Sequence, residues 1–421
     1  MEKEIKLDHI TKIEGHASLI LKIDNNKVIK CSLKAVEGSR YFEGIVKNRM
    51  FYEAPEITSR ICGVCSCAHT LCSIFAMENA LNLEVSDQTI KLRKLLNWGE
   101  RIRSHATHLY FLSLPDFLGY ESALAMVPKY RREIEIALKL MKIGNRIVSL
   151  IGGRDLHPVS AQIGGFLKYP GKQDLNEISS LLKECKVYAI KTIELFSRLS
   201  YPEFSRDVSC FSVYNDDEYG MFNGRIRTHN KDYNKEDYKN YLKEYHEKSS
   251  TSNFVVKESK GYRVGALPRI NISCHLLHKE AKRYSKLIKL PNHNPFKNNL
   301  AQAIEILHAI EECISITNNM EIKEESFKKP KLVNGHGVAA IEVPRGTLWH
   351  EYIIKNKKIV YCNIITPTAQ NLRSMEDDIR AFLPSVIKLK KEKIVLETEK
   401  LIRSYDPCFS CSTHFLNVRW I

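Results

Sequence analysis

Alternating apolar and polar residues predict β-structure near both ends of the chain. Residues 18–23 and 28–33 alternate on either side of the polar stretch 24–27, which is the pattern of a β-hairpin. Further strands are predicted at 335–342, 348–354 and 359–365. The turn Pro344-Arg345-Gly346 separates the first two of these strands, so we expect a small sheet near the C-terminus.

Between these regions, apolar residues recur every three or four positions and predict long helices. The predicted helices span residues 71–83, 89–114, 129–150, 176–199, 298–315 and 370–403. The last should break or kink near Pro384, because proline cannot donate the helical hydrogen bond. We therefore predict a mainly α fold with smaller β portions (α+β): a central bundle of long helices with an N-terminal hairpin and C-terminal strands.

No serine- or glycine-rich linker, internal repeat or low-complexity tract interrupts the 421 residues. The sequence therefore predicts a single domain over 1–421. Its most polar and irregular part, residues 201–262, is rich in tyrosine, lysine and asparagine, so we expect a polar surface excursion there.

The net charge of +15 raises the question of a nucleic-acid partner. The basic residues are scattered and accompany no helix-turn-helix, zinc-finger or RNA-binding signature, so we expect a solvated basic surface and no nucleic acid. No apolar run approaches the roughly 20 residues of a membrane span, and the N-terminus lacks an apolar signal segment. We expect a cytoplasmic protein that is not an integral membrane protein, whose twelve cysteines serve as thiols or metal ligands.

Two cysteine motifs stand near opposite ends of the chain, Arg60-Ile-Cys-Gly-Val-Cys-Ser-Cys-Ala-His69 and Asp406-Pro-Cys-Phe-Ser-Cys-Ser-Thr-His414. A Cys-x-x-Cys pair can chelate one metal ion from a single turn. Structural zinc modules place their two pairs about 15–20 residues apart, which is far closer than here. Soft thiolates with open coordination positions suit iron or nickel, so the pattern favours a reactive metal site over structural zinc.

Two other polar patterns are weak when taken alone. Glu14 precedes Gly15 in a stretch whose spacing favours an ordinary surface turn. His105 and His108 share one helical face, which fits either half of a zinc site or two packed imidazoles. Packing is the favoured interpretation, because no third ligand lies nearby in the sequence.

Both cysteine motifs closely resemble the signature motifs of the large subunit of nickel-iron hydrogenases. Further segments fall in that family's order and at its approximate spacing, so that the resemblance spans nearly the whole chain outside 201–262. These segments are residues 12–16, 40–43, 104–108, 153–158, 342–346 and 366–368.

The resemblance implies a Ni-Fe centre with CN and CO ligands on the iron. Cys62 and Cys408 would be terminal nickel ligands, while Cys65 and Cys411 would bridge nickel to iron. The implied function is that of the catalytic subunit, which splits H2 reversibly into protons and electrons. Two alternatives are a hydrogen-sensing regulatory subunit with the same site and a redox-inactive scaffold like that of respiratory complex I, although the four cysteines argue against the scaffold.

The resemblance also implies roles for residues around the centre. Glu14 would pass a proton from Cys408 toward solvent, and Arg345 would cover the open metal position. The remaining implied roles are pairing of Asp406 with Arg345, a hydrogen bond from Thr368 to a cyanide, and a hydrogen bond from His69 to a cysteine sulfur.

A second ion, magnesium, is implied at Glu43, the main-chain carbonyl of Ile364 and the imidazole of His414. Ser410 and the ending Ser412-Thr-His414 look most like the cytoplasmic, multimeric, cofactor-linked branch of the family. Many relatives carry an extension that a protease removes after the histidine. The sequence leaves open whether residues 415–421 are removed.

The other cysteines are too isolated to hold iron-sulfur clusters, so electrons must leave through partners. We expect an iron-sulfur small subunit, followed by nicotinamide- or flavin-linked subunits that pass electrons to a soluble acceptor such as NAD(P). The isolated cysteines are Cys31, Cys185, Cys210, Cys274, Cys313 and Cys362.

Overall fold

A computed structural model describes residues 3–25, 27–229 and 231–414. The segment 415–421, whose removal the sequence left open, lies outside the described residues. The helices, in chain order, are α1 Phe42–Ile45, α2 Ala54–Ser59, α3 Ser66–Ala80, α4 Asp87–Thr107, α5 Leu114–Leu118, α6 Ala123–Gly152, α7 Lys172–Ser197, α8 Ala266–Ser273, α9 Lys279–Ser285, α10 Asn298–Asn319, α11 Pro367–Val386, α12 Lys391–Ser404 and α13 Phe409–Ser412.

The strands form small antiparallel sheets of two or three strands each. In chain order they are β1 Lys3–Leu7, β2 Ala17–Asp24, β3 Lys27–Ala35, β4 Ala161–Gln162, β5 Gly165–Phe166, β6 Ser212–Tyr214, β7 Arg225–Arg227, β8 Asp232–Tyr233, β9 Leu242–His246, β10 Asn253–Lys257, β11 Gly335–Val343, β12 Gly346–Lys355 and β13 Lys358–Ile365.

Helices α4, α6, α7 and α10 pack together as the central bundle, and α3 lies between this bundle and the sheet β11-β12-β13. Their apolar faces form the largest buried cluster, which also includes the five cysteines of the two motifs. The predicted helix 89–114 is α4, a π-helical stretch His108–Ser113 and α5. The predicted helix 370–403 is α11 and α12; Pro384 lies in the last turn of α11, and the break follows it at 387–390.

The predicted N-terminal hairpin is β2 paired with β3, and β1 adds a third strand on the other edge of β2. Periodicity misses β1 because that strand has only five residues, of which three are charged. The buried face of this sheet packs against α11 in a second core cluster. The N-terminal segment therefore lies beside the helix that leads toward the second cysteine motif.

Residues 201–262, for which the composition predicts a polar surface excursion, also contribute buried apolar side chains. Phe211, Val213, Tyr238 and Val255 from this segment are buried and form a third cluster with Trp349 of β12. The buried residues of β6 and β10 are separated by segments with many exposed polar side chains, so the polar average composition conceals an apolar surface. The segment covers one face of the C-terminal sheet.

Within the part of the chain that the structure describes, we find no helix with the length and apolar character needed to cross a bilayer.

A buried carboxyl on α11 predicts a pH-dependent part of the stability. Glu376 Oε1 accepts the Leu33 main-chain N–H at 2.9 Å, and burial raises the pKa of Glu376 to about 7 from its ordinary 4.5. Because the folded state holds this proton more tightly, its contribution to stability is complete below pH 4.5 and is lost as the pH rises through about 7. At 1.36 kcal/mol per pKa unit, the loss is on the order of 3 kcal/mol.

We expect Glu376→Gln to reduce the drop in the denaturation midpoint between pH 4.5 and pH 7.5, measured by urea unfolding followed by circular dichroism. Asp377→Asn is the matched control, because it removes a partly exposed carboxyl from the next position of the same helix. An equal pH dependence in wild type and Glu376→Gln would contradict the assignment.

Candidate metal centre

The two cysteine motifs meet in the interior. Cys62 and Cys65 lie on the loop between α2 and α3, while Cys408 and Cys411 lie at the start of α13 and within it. All four are buried, their sulfur atoms lie within 4.8 Å of one another, and the Cys62 and Cys408 sulfurs are 3.4 Å apart. Such a cluster of soft donors from two distant segments is the donor set predicted for a nickel or iron site.

The loop of the first motif is fixed by a buried carboxylate from α4. Helix α3 begins directly after Cys65 and has no side-chain cap of its own. Instead, Glu100 accepts the main-chain N–H groups of Cys67 and Ala68 at 2.8 and 3.0 Å, which satisfies donors that a helix start leaves open. Arg103 donates to the carbonyl of Val64 at 3.4 Å, so α4 supports the loop at two points.

The second motif is held against the N-terminal segment. Phe409 N–H donates to the Glu14 carbonyl at 2.9 Å, within a parallel bridge between Glu14 and Cys408. Gly15 has φ +82°, and a Cβ there would lie 2.7 Å from the main-chain nitrogen of Ser410. A side chain would therefore be both strained and too close, which explains why glycine follows Glu14.

The Glu14 carboxylate contacts the cluster directly. Cys408 Sγ donates to Glu14 Oε2 at 2.9 Å, and the Ser410 N–H donates to the same oxygen at 3.2 Å. Cys62 Sγ lies 3.8 Å from Glu14 Oε1. Glu14 is only partly buried whereas both sulfurs are buried, so the carboxylate connects the thiols to the surface of this chain.

Arg345 reaches the cluster from the turn between β11 and β12. Its Nη1 donates to Cys65 Sγ at 3.0 Å and to Ser104 Oγ at 3.3 Å. Its Nε donates to the Asp406 carbonyl at 3.0 Å and to Asp406 Oδ1 at 3.1 Å. Asp406 is held in turn by Gln302, whose Nε2 donates to Oδ2 at 3.0 Å. Arg345 and Asp406 therefore form a buried ion pair beside the cluster.

The thiols of the cluster differ in acidity. Hydrogen bonds from the neighbouring thiols, together with the positive charge of Arg345, hold the pKa of Cys65 well below its ordinary value. Burial raises the pKa of Cys408 and that of Cys411 well above the ordinary value, since thiolates are poorly solvated in the interior. Filling the site with a metal ion must therefore release protons from the cluster.

Thr368 and His69 complete the wall of the enclosed cavity that Cys65, Cys408 and Cys411 also line. Thr368 Oγ1 accepts the Cys408 N–H at 2.8 Å, which leaves its hydroxyl proton as a donor for a ligand in the cavity. His69 Nδ1 lies 3.2 Å from His350 Nε2, and burial lowers the pKa of His69 to about 3, so the imidazole is neutral. A hydrogen bond from His69 to a cysteine sulfur stays a prediction.

The three groups predicted to hold magnesium also meet. His414 Nε2 lies 2.6 Å from the carbonyl oxygen of Ile364 and 3.5 Å from Glu43 Oε1. An octahedral Mg²⁺ with bonds of about 2.1 Å needs neighbouring ligand atoms about 3 Å apart, and these distances lie on either side of that value. Burial is the largest single influence and lowers the pKa of His414, but the hydrogen bond to Glu43, the negative charge of Glu43 and the carbonyls of Cys411 and Ile364 together outweigh it, so the pKa is raised.

His105 near the end of α4 and His108 directly after it are packed imidazoles. His105 Nε2 lies 2.8 Å from Glu305, while His108 contacts Gln302 and the carbonyl of Arg403 at 2.6 and 2.7 Å. The favoured interpretation of this pair therefore holds, and His108 supports Gln302 behind Asp406. Spacing alone does not reveal the supporting residues Glu100 and Gln302. The sequence does contain one sign of their role: Glu100 and Gln302 are polar residues at positions where the predicted helices have their apolar faces.

Comparison with known proteins agrees with this geometry. Residues 40–136 and 295–414 match the sequence profile of the family described as nickel-dependent hydrogenase. Together these ranges cover half of the chain and contain all four cysteines of the cluster. This chain belongs to the nickel-dependent hydrogenase family.

Individual hydrogenases match over almost the full length. Sulfhydrogenase 1 subunit alpha of Pyrococcus furiosus is 36% identical over 98% of each chain. The NAD-reducing hydrogenase HoxS subunit beta of Cupriavidus necator is 28% identical over 99% of this chain and 96% of its own. The crystal structure of an NAD+-reducing NiFe hydrogenase in the H2-reduced state superimposes with a TM-score of 0.90 at 25% identity, covering 98% of this chain and 99% of that one.

These matches confirm the resemblance drawn from the motifs and the predicted α+β fold class. The chain is the large, catalytic subunit of a nickel-iron hydrogenase, an oxidoreductase. Its four clustered cysteines are positioned to bind the metal centre of that family.

Proposed function

We propose that this subunit catalyses the reversible heterolytic cleavage of H2 at a Ni-Fe centre held by Cys62, Cys65, Cys408 and Cys411. The observation that carries the proposal is the convergence of four buried sulfurs, with a carboxylate on one of them and a guanidinium on another. This arrangement places a base and a cation on two different thiols of one metal site.

The residues fit the expected centre. Cys62 and Cys408 would hold nickel alone, and Cys65 and Cys411 would bridge it to an iron that carries CN and CO. When bound, the centre supplies the site at which H2 is polarised and its electrons are taken up. Anionic diatomic ligands in a buried cavity need hydrogen-bond donors, which Arg345 and the Thr368 hydroxyl offer.

The chain's own residues provide the proton path. A proton on Cys408 Sγ has Glu14 Oε2 at 2.9 Å, which is within direct transfer distance. The Ser410 N–H donates to that oxygen, so the Glu14 carboxylate is held in the orientation that faces Cys408. Because the Glu14 side chain is partly exposed, it then releases the proton toward the surface of this chain.

We further propose that Mg²⁺ binds Glu43, the Ile364 carbonyl and His414. The ion would replace the contact between His414 and Ile364 and so tie the end of the second motif to β13. Water molecules would complete its coordination, since Mg²⁺ dehydrates reluctantly.

Electrons from the centre require a partner, which we propose to be an iron-sulfur small subunit. The similar proteins of Pyrococcus furiosus and Cupriavidus necator are named as subunits of larger enzymes, one of them NAD-reducing. Together with the likeness to an NAD+-reducing NiFe hydrogenase, this supports further nicotinamide- or flavin-linked subunits and NAD(P) as acceptor. Such a complex would work in the cytoplasm, where NAD(P) is available.

The test is to purify the native complex anaerobically and to measure bound metals together with H2-dependent reduction of benzyl viologen and of NAD(P)+. We expect one nickel per large subunit, CN and CO infrared bands from the iron of the centre, and reduction of both acceptors. Nickel and the CN and CO bands without dye reduction would support the sensing alternative, and zinc without nickel and without these bands would support the scaffold. Reduction of the dye but not of NAD(P)+ would overturn only the proposed acceptor.

A further inference from the structure

Arg269 on α8 is a buried arginine that holds the turn carrying Arg345. Its Nη1 donates to Glu342 Oε2 at 2.8 Å and to the carbonyl of Val343 at 2.9 Å, and its Nη2 donates to the carbonyl of Pro344 at 2.9 Å. These acceptors are the three consecutive residues before Arg345. The Arg269 guanidinium thus bonds the residues immediately before Arg345, which is the residue that contacts Cys65.

The other side of Arg269 is anchored to the helix bundle. Its Nε and Nη2 donate to the two carboxylate oxygens of Glu305 on α10, at 2.6 and 2.7 Å. Every nitrogen of the guanidinium is therefore bonded, and its planar fork joins α10 to the β11–β12 turn. A lysine carries the same charge but cannot make both the paired contact to Glu305 and the contacts to the turn.

Glu342 fixes the far side of the same turn. Its Oε1 accepts the Val213 N–H at 2.8 Å and the Thr347 hydroxyl at 2.6 Å. Gly346 has φ +136°, and a Cβ there would lie 2.5 Å from Val264 Cγ2. The turn is therefore closely packed on both sides. A change in the position of the Arg269 guanidinium moves the residues bonded to it and so displaces Arg345, the next residue of the turn.

A stabilising role alone accounts poorly for this arrangement. Buried ion pairs add little net stability compared with apolar residues of similar volume, and their better-attested use is to fix geometry. Arg345 donates to Cys65 at 3.0 Å, so a small displacement of the turn alters the guanidinium's contact with the metal ligands.

We propose that Arg269 is a positioning residue that sets the place of the Arg345 guanidinium over the metal centre. The inference rests on the proposed function, in which Arg345 acts at that centre. Arg269 touches neither the cluster nor its ligands in this arrangement and acts through the turn. Residues that support metal-site groups from behind typically change activity by about 10- to 100-fold when replaced.

The experiment is a double-mutant cycle in the native complex with Arg269→Lys, Arg345→Lys and the double variant. We expect Arg269→Lys to keep its nickel and iron, to shift the CN and CO infrared bands as Arg345→Lys does, and to lose about 10- to 100-fold in H2-dependent dye reduction. The double variant should be no slower than Arg345→Lys alone, because the first change acts only through the second residue.

The matched control is Arg93→Lys. Arg93 is likewise fully buried and makes a paired contact with Glu78 at 2.7 and 2.6 Å, but it bonds no residue of the turn. We expect a comparable drop in the unfolding temperature with unchanged infrared bands. Additive losses in the double variant, unchanged bands in Arg269→Lys, or equal band shifts in Arg93→Lys would overturn the inference. Failure of the proposed function would differ from all of these, because the wild-type complex itself would then lack dye reduction.

Discussion

Cys408→Ser is expected to abolish nickel binding, leaving less than about a tenth of the wild-type content. Serine replaces a soft thiolate ligand by a hydroxyl that does not ionise near neutral pH and is a poor ligand for nickel. The substitution removes one of four sulfurs that lie within 4.8 Å of one another, so no spare thiol completes the set. Nickel per large subunit, measured by elemental analysis of the purified complex, provides the test.

Cys67→Ser is the matched control for this prediction. Cys67 belongs to the same motif as Cys62 and Cys65 and is also buried, but its sulfur is not part of the cluster. We expect this variant to keep wild-type nickel content while losing some stability, since a hydroxyl replaces a buried thiol. Full nickel occupancy in Cys408→Ser, or equal loss in Cys67→Ser, would contradict the four-cysteine assignment.

The cluster could be predicted from the sequence because metal chelation leaves a local signature. Each Cys-x-x-Cys pair is visible within four residues, and only the meeting of the two pairs depends on the fold. The long helices were equally accessible, since apolar residues recur at helical spacing along α4, α6, α7 and α10 and enter one core cluster. The predicted C-terminal strands agree with β11, β12 and β13 to within two residues.

The supporting contacts could not be predicted because they join segments that are distant in the chain. Arg269 contacts Glu305 and Glu342, and no spacing rule relates these three positions. The same holds for Gln302, which reaches Asp406 from α10. A charged residue in an apolar helical pattern signals only that a partner exists, and tertiary structure alone identifies the partner.

Glu14 is a residue whose role the local sequence pattern did not predict. Its spacing favoured a surface turn, and the structure does place it near the surface, with its side chain only partly buried. The local pattern gives no sign of the backbone bridge between Glu14 and Cys408. This bridge brings the partly exposed carboxylate into contact with a buried sulfur. The resemblance to hydrogenases, and not the spacing, indicated that role.

Glu14→Gln is accordingly expected to leave nickel and iron content unchanged and to lower H2-dependent dye reduction by about 10²- to 10⁴-fold, the usual contribution of a positioned acid or base. The amide has nearly the shape of the carboxylate, and its oxygen can still accept the Ser410 N–H that Glu14 Oε2 accepts at 3.2 Å. It cannot take up the proton of Cys408 at neutral pH. The formation of HD from H2 in heavy water should fall together with dye reduction.

Glu14→Asp separates the loss of the base from the loss of contact. The shorter side chain keeps the carboxylate but moves it away from Cys408 Sγ, which lies 2.9 Å from Glu14 Oε2. We expect intermediate rates of HD formation, since one bridging water can restore a longer path. If Glu14→Gln instead formed HD at the wild-type rate with its metals intact, protons would have to leave the cluster by another path. The partly exposed position of Glu14 beside two buried thiols would then need a different explanation.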